Sequence, residues 1–240
     1  TPDLRRSSLR RLLEIKNFLR FLETHNPISA LIAENLEINK KGKKISFDGF
    51  WSSSLTDSTS MGKPDNEYVD NSLRLTSINH IFDVTSKPLI FDADTGGKIE
   101  HFDMKIKTIE RTGISAIIIE DKTGLKKNSL LENTKNQTQE DISVFAKKIA
   151  IGKKAQVSRD FMIIARIESF ILGKKLNDAM KRAEAYLASG ADGIMIHSKD
   201  KSPKEVFNFA RSFKKSFKEI PLVCVPSTYN RVKEKELIKE

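Results

Sequence analysis

The chain has 240 residues, 42 Lys and Arg against 32 Asp and Glu, a formal net charge of +10, a single cysteine and 8% aromatic residues. One cysteine excludes an intrachain disulfide framework and suits a reducing, cytoplasmic compartment, and no apolar run has the length needed to cross a bilayer. Basic residues are interspersed with acids, as in Arg231-Val-Lys-Glu-Lys-Glu236, and aromatics do not interleave with them, which argues against a nucleic-acid partner and for a lysine-rich surface that favours a small anion.

Residues 4–24 are predicted to form an N-terminal helix, whose basic amphipathic stretch 9–22 is read as packing across one end of the fold rather than on a membrane. Short apolar runs predict strands over 28–33, 47–51, 89–91, 116–120, 162–166, 193–197 and 222–225. Most open onto polar residues: Ser52-Ser53-Ser54, Asp92-Ala93-Asp94, Glu120-Asp121-Lys122, Arg166-Ile167-Glu168, His197-Ser198-Lys199 and Ser227-Thr228-Tyr229. Residues 178–188 carry apolar side chains at helical spacing, with Gly190 just past the end. Ser202-Pro203-Lys204-Glu205 reads as a capping box opening a helix over 206–217. The unit from Gly113 to Lys122 aligns without gaps on that from Gly190 to Lys199, each beginning with a glycine suited to a left-handed helix terminus.

Strands alternating with helices predict an α/β fold with a parallel sheet, and near-continuous apolar strands predict that both its faces are covered. Polar residues at so many strand ends favour a (β/α)8 TIM-type barrel over a doubly wound sheet, for which no G-x-G-x-x-G pattern is present. About seven strand candidates stand against the eight of a closed barrel. The expectation is a single barrel domain over 1–240, truncated before its last strand and helix.

The chemistry concentrates after strand 116–120, where the chain turns abruptly from apolar to charged and amide residues. Asp92 and Asp94, two apart at a strand end, point the same way if extended. With Glu120 at the end of the next strand they form a set of hard oxygen donors, suited to Mg2+ or Mn2+ rather than zinc. The plain alternative is that Asp94-Thr95-Gly96-Gly97 is only a turn, with Asp94 bonded to its own backbone. Gly124 and the lack of apolar periodicity make 122–130 a candidate lid that excludes water. Cys224, within a strand, reads as a buried thiol rather than a nucleophile. His25 and His80 read as turn and surface residues, and His101 receives no role.

Several separated motifs agree with a known family. Trp51-Ser-Ser-Ser-Leu55, Asp92-Ala-Asp-Thr-Gly96, Glu120-Asp-Lys122 with Lys126-Lys-Asn-Ser129, Ala165-Arg-Ile-Glu168 and Ile196-His-Ser-Lys199 resemble the phosphoenolpyruvate mutase branch of the isocitrate lyase superfamily, in order and over nearly the whole chain. The resemblance implies a (β/α)8 barrel, Mg2+ as cofactor, and interconversion of phosphoenolpyruvate and phosphonopyruvate, the P–C bond-forming entry to phosphonates. It also implies a homo-oligomer, usually a tetramer, with a small anionic substrate as its other partner. It makes Asp92 the direct Mg2+ ligand, with Asp65, Asp94 and Glu120 holding metal-bound waters. It assigns the substrate carboxylate and 2-oxo oxygen to the backbone around Ser53, Ser54 and Leu55 with Arg166, and packs Trp51 over the ligand. Lys126, Asn128, Ser129, Arg166 and His197 would surround the migrating phosphoryl group.

Where this chain has Ser54 the family usually has glycine, so strain is expected if the position requires positive φ. Two other outcomes share such a site. A phosphonopyruvate hydrolase would admit water; its members typically depart from the pair kept here as Asn128-Ser129. A non-catalytic barrel would bind metal and pyruvate-like anions without turnover. A carbon–carbon lyase would need a lid cysteine, which Lys126-Lys127-Asn128-Ser129 lacks.

Overall fold

The computed structural model describes residues 1–124, 126–129 and 137–240. Of the candidate lid 122–130, Leu125 and Leu130 lie outside the described residues. The chain divides into two compact units. The first comprises 1–93, 104–117 and 156–161, and the second 94–103, 118–155 and 162–240.

The first unit opens with α1 (Pro2–Ile15), which ends well before the predicted residue 24 and is followed by a strand, β1 (Phe21–Glu23). The reason is tertiary. β1 pairs in parallel with β4 (Gly49–Ser52) in the register Phe21 opposite Gly49, where a Cβ would fall 2.3 Å from the Phe21 ring. Only glycine leaves room for that ring.

The predicted strand 28–33 is instead α2 (Pro27–Asn35). Asn26 accepts from the Ser29 N–H while the Ser29 hydroxyl accepts from the Asn26 N–H, a reciprocal cap with Pro27 in the first turn. Ala30 and Ala33 are its buried face, and Ile28 and Ile32 remain exposed. An apolar run of six residues did not distinguish helix from strand; the cap did.

A hairpin of β2 (Glu37–Lys40) and β3 (Lys43–Ser46) precedes β4, turning through Lys41 and Gly42, both with positive φ. Then come α3 (Ser54–Ser60), α4 (Asn71–Val84) and β5 (Leu89–Asp92), which pairs in parallel with β4.

A 3-10 turn over Ile99–His101 leads into α5 (Phe102–Arg111) and β6 (Ala116–Glu120), along which the chain passes between the units. In the second unit the two-residue strands β7 (Lys122–Thr123) and β8 (Thr138–Gln139) pair antiparallel. They are followed by α6 (Ile142–Ala155), β9 (Met162–Ile167), α7 (Leu176–Ala188), β10 (Gly193–Ile196), α8 (Lys204–Ser216), β11 (Leu222–Val223) and α9 (Glu234–Lys239). β9, β10 and β11 pair in parallel. Gly113 and Gly190 take the expected left-handed φ, 96° and 98°. The predicted capping box before α8 does not form. Pro203 occupies the cap position without a side-chain bond, and the Glu205 carboxylate instead accepts from the Ser198 hydroxyl at 2.8 Å.

The main sheet of the expected α/β fold runs β1-β4-β5-β6-β9-β10-β11 and has seven strands among the described residues. β6 and β9 are buried at every position. Each fully buried Ile there contributes roughly 1.5–3 kcal/mol relative to an exposed one. Among the described residues no helix is long and apolar enough to cross a membrane.

Candidate active site

In the first unit the strands β4 and β5 deliver the predicted residues. Trp51 and Ser52 end β4; the Ser53 hydroxyl accepts from the Thr56 N–H at 3.4 Å and so caps α3. Ser54 is the first residue of that helix and has no positive φ, so the expected strain does not arise. Its hydroxyl donates to Asp92 Oδ2 at 3.3 Å, both groups being buried. Leu55 is exposed, and Asp65 lies half-buried in the turn ahead of α4. Glu23, at the end of β1, escaped the sequence reading. It accepts from the Thr56 hydroxyl, and burial pushes its carboxyl above the ordinary value.

The backbone beneath these residues is tied to α4. Arg74 donates from Nη1 to the Asp92 carbonyl at 2.6 Å and from Nε to Asp57 Oδ2 at 2.9 Å. Neither Arg74 nor Asp57 carries a local signal that would have marked it.

In the second unit Asp94 sits in the left-handed region, φ 56°, where Asp is better tolerated than most residues. The turn is closed by Thr95, whose hydroxyl accepts from the Gly97 N–H at 3.1 Å, while the Asp94 carboxylate engages the Lys126 ammonium. Asp94 is therefore committed to more than the turn. Its carbonyl accepts from the Glu120 N–H at 2.8 Å, which places Asp94 beside the end of β6. Lys148, buried on α6, holds the following turn by donating to the Thr95 and Gly97 carbonyls, each at 2.9 Å.

Around Glu120 lies a buried charge cluster. Arg166 donates from Nε to Glu168 Oε1 at 2.6 Å and from Nη2 to the Ser129 hydroxyl at 2.8 Å. Ser129 donates in turn to Glu168 Oε2 at 2.7 Å and accepts from Lys122 Nζ at 2.7 Å. One donor and two acceptors are all a hydroxyl offers, so Ser129 is saturated within the protein. Glu120 forms ion pairs with Lys122 at 3.3 Å and Arg166 at 3.4 Å, yet neither of its carboxylate oxygens accepts a hydrogen bond from the described residues. Burial raises its pKa to about 7 against the pull of Arg166 and Lys122. Glu168 is equally buried, but Arg166, Lys122, His197 and the Ser129 hydroxyl hold it below the ordinary value. His197 is buried at the end of β10, and Asn128 is half-buried beside Ser129.

The fold thus brings Asp94, Glu120, Lys126, Ser129 and Arg166 together in one unit, and Ser54 with Asp92 in the other. Lys122 and Glu168 join the cluster although the sequence reading gave them no site role. Their signal was present, since both lie within the strand-end motifs. Among the described residues no group of three or more His, Cys, Asp or Glu side chains is gathered closely enough to hold a metal ion by itself. Lys126 occupies Asp94 and Ser54 bonds Asp92. What does fit a cation is Glu120, a buried carboxylate whose oxygens have hydrogen-bonding capacity to spare.

A model of the phosphoenolpyruvate phosphomutase family matches residues 9–239. A phosphoenolpyruvate phosphomutase from Tetrahymena pyriformis is 35% identical over 233 residues, covering 94% of this chain and 73% of the relative. The solved phosphoenolpyruvate phosphomutase from Streptomyces platensis subsp. rosaceus is 35% identical with a TM-score of 0.85, covering 96% of this chain and 76% of that one. A solved phosphonopyruvate hydrolase, in complex with oxalate and Mg2+, is 33% identical with a TM-score of 0.83, covering 98% and 76%.

Proposed function

This chain belongs to the phosphoenolpyruvate phosphomutase family, a family of enzymes, and we propose that it interconverts phosphoenolpyruvate and phosphonopyruvate by moving one phosphoryl group between oxygen and carbon. The observation that carries the reading is the buried cluster in which Lys126 and Ser129, from the loop after β6, are held to Asp94 and to Arg166 with Glu168. Phosphoryl transfer through a loose, metaphosphate-like species asks little covalent chemistry of a protein; it asks for position and fixed positive charge. Arg166 is locked by Glu168, so its guanidinium need not reorganise as negative charge moves. Lys126 and His197 add further donors, and Asn128 offers an amide that can donate hydrogen bonds but cannot act as a nucleophile.

The family motifs assign Mg2+ and its waters to Asp92, Asp94 and Glu120, with Asp65. Hard carboxylate oxygens suit that ion, and the spare capacity of Glu120 favours it. Mg2+ would supply Lewis-acid charge at the substrate's 2-oxo oxygen. The backbone of Ser53, Ser54 and Leu55 would receive the substrate carboxylate, with Trp51 packed over it.

A second reading is phosphonopyruvate hydrolysis, favoured by a likeness to the hydrolase structure nearly equal to that for the mutase. The two differ in whether water captures the phosphoryl group. Against the hydrolase stands Asn128, since an amide cannot serve as a base toward water. Phosphorus NMR of the protein with phosphonopyruvate and Mg2+ decides. A growing phosphoenolpyruvate signal is expected, and inorganic phosphate alone would replace this reading with the hydrolase.

A further inference from the structure

We propose that Arg74, together with Asp57, is a positioning residue that sets the spacing between the Ser52 and Asp92 strand ends for the reaction. Arg74 lies on α4 and is 1% exposed, among the largest fully buried side chains of the protein. Its guanidinium donates to the Asp92 carbonyl at 2.6 Å, to the Ser52 carbonyl and hydroxyl at 3.3 Å each, and to Asp57 Oδ2 at 2.9 Å. The Ser52 hydroxyl donates to the same Asp57 oxygen at 2.7 Å, and the guanidinium carbon lies 4.2 Å from the Phe91 ring centroid.

A buried ion pair is weak support for stability, because well-packed apolar side chains in its place are often as stable or more so. The geometry explains its presence better. Ser52 and Asp92 are the last residues of β4 and β5, where the sheet ladder runs out and buried carbonyls need other donors. A planar guanidinium presents its donors in a rigid fork, so bonding both carbonyls fixes their separation in a way a lysine point charge cannot. Asp57, three residues beyond Ser54 on α3, adds a third point. The residues so fixed are the Asp92 carboxylate and the turn of Ser53, Ser54 and Leu55. A displacement of about 1 Å at such groups can cost about a hundredfold in rate. What is being positioned rests on the proposed phosphoryl-transfer reading.

The test compares the full chain with Arg74→Lys, which keeps the charge but not the fork. A second comparison is the double variant Asp57→Asn with Arg74→Met, which removes both charges and leaves an amide oxygen for Ser52. Thermal melting, turnover to phosphoenolpyruvate and to phosphate, and Mg2+-dependent binding of oxalate are measured for each. Both variants are expected to melt within about 5 °C of the wild type, with kcat lowered about 10- to 100-fold and KM changed less than about threefold. A folded variant pair with kcat within about threefold of wild type overturns the proposal. So does unfolding of both variants, which would make the pair a stability element. If the wild type releases only phosphate, the mutase reading fails while the same comparison is read on phosphate. If the wild type shows no turnover, oxalate affinity decides: a loss of about tenfold or more supports the role of Arg74, and an unchanged affinity overturns it.

Discussion

The ends of β6 and β9 each carry a buried glutamate, and the two differ in nearly every electrostatic respect. Glu168 accepts hydrogen bonds from Arg166 and Ser129, and its pKa is lowered despite complete burial. Glu120 has Lys122 and Arg166 near it, at 3.3 and 3.4 Å, but accepts no hydrogen bond from the described residues, and burial raises its pKa. Burial alone therefore does not decide the charge state of a carboxylate. Short, directed donors do, because only they replace the water that was lost. Glu168 is matched by its donors, whereas Glu120 keeps buried oxygens that accept no hydrogen bond from the described residues.

The largest expected effect comes from removing the residue the two glutamates share. Arg166→Met should lower turnover about 10²- to 10³-fold or more, measured by the rate of phosphoenolpyruvate formation. A variant within about tenfold of wild type would mean that the cluster only holds the fold together.

Replacing each glutamate separately sharpens the contrast. Glu168→Gln should destabilise the protein by about 3–5 kcal/mol, because it leaves Arg166 and Lys122 short of a charge, and urea unfolding measures this. Glu120→Gln should leave stability near neutral pH unchanged or raised while greatly reducing turnover, since burial disfavours the ionised carboxylate it replaces. Equal losses in the two variants would break the comparison.

The pH dependence of stability, measured in EDTA, gives a subtler test. The folded pKa of Glu120 lies above its unfolded value, so its contribution favours folding at low pH and is lost as pH rises toward about 7. The folded pKa of Glu168 is depressed, so its contribution is present above the unfolded value and lost as pH falls. Glu120→Gln should flatten the decline between about pH 4.5 and 7, and Glu168→Gln should flatten the acid limb.

The smallest effect concerns Cys224, which lies just past β11 and is half-buried rather than fully buried within a strand, and whose pKa burial raises. Its alkylation at pH 8 should be slower than that of free cysteine. Reaction at the free rate would show that burial there does not act as it does at Glu120.

Much of this architecture was legible before the structure. Strands such as 116–120 and 162–166 are continuous apolar runs ending in charge, and their burial on both faces leaves few alternatives. The carboxylates and cations of the site were visible because they sit in motifs at those same ends. Other elements were hidden in the sequence. Residues 28–33 present apolar side chains compatible with either period, and their helix depends on the cap between Asn26 and Ser29. β1 looked like the tail of a helix, and becomes a strand because Gly49 admits the Phe21 ring.

By itself the sequence determined the alternation of helices and strands, the strand-end chemistry and the family, since each rests on spacing within a few residues or on motif order. Tertiary structure alone decided which charges meet. Arg74 reaches Asp92 across 18 positions, Ser129 reaches Glu168 across 39, and Asp121 bonds Arg182 and Tyr186 across 61 and 65. No local period encodes such partners. A buried charge must be matched by whichever group the packed fold places beside it, and that choice is made only when the distant segments come together.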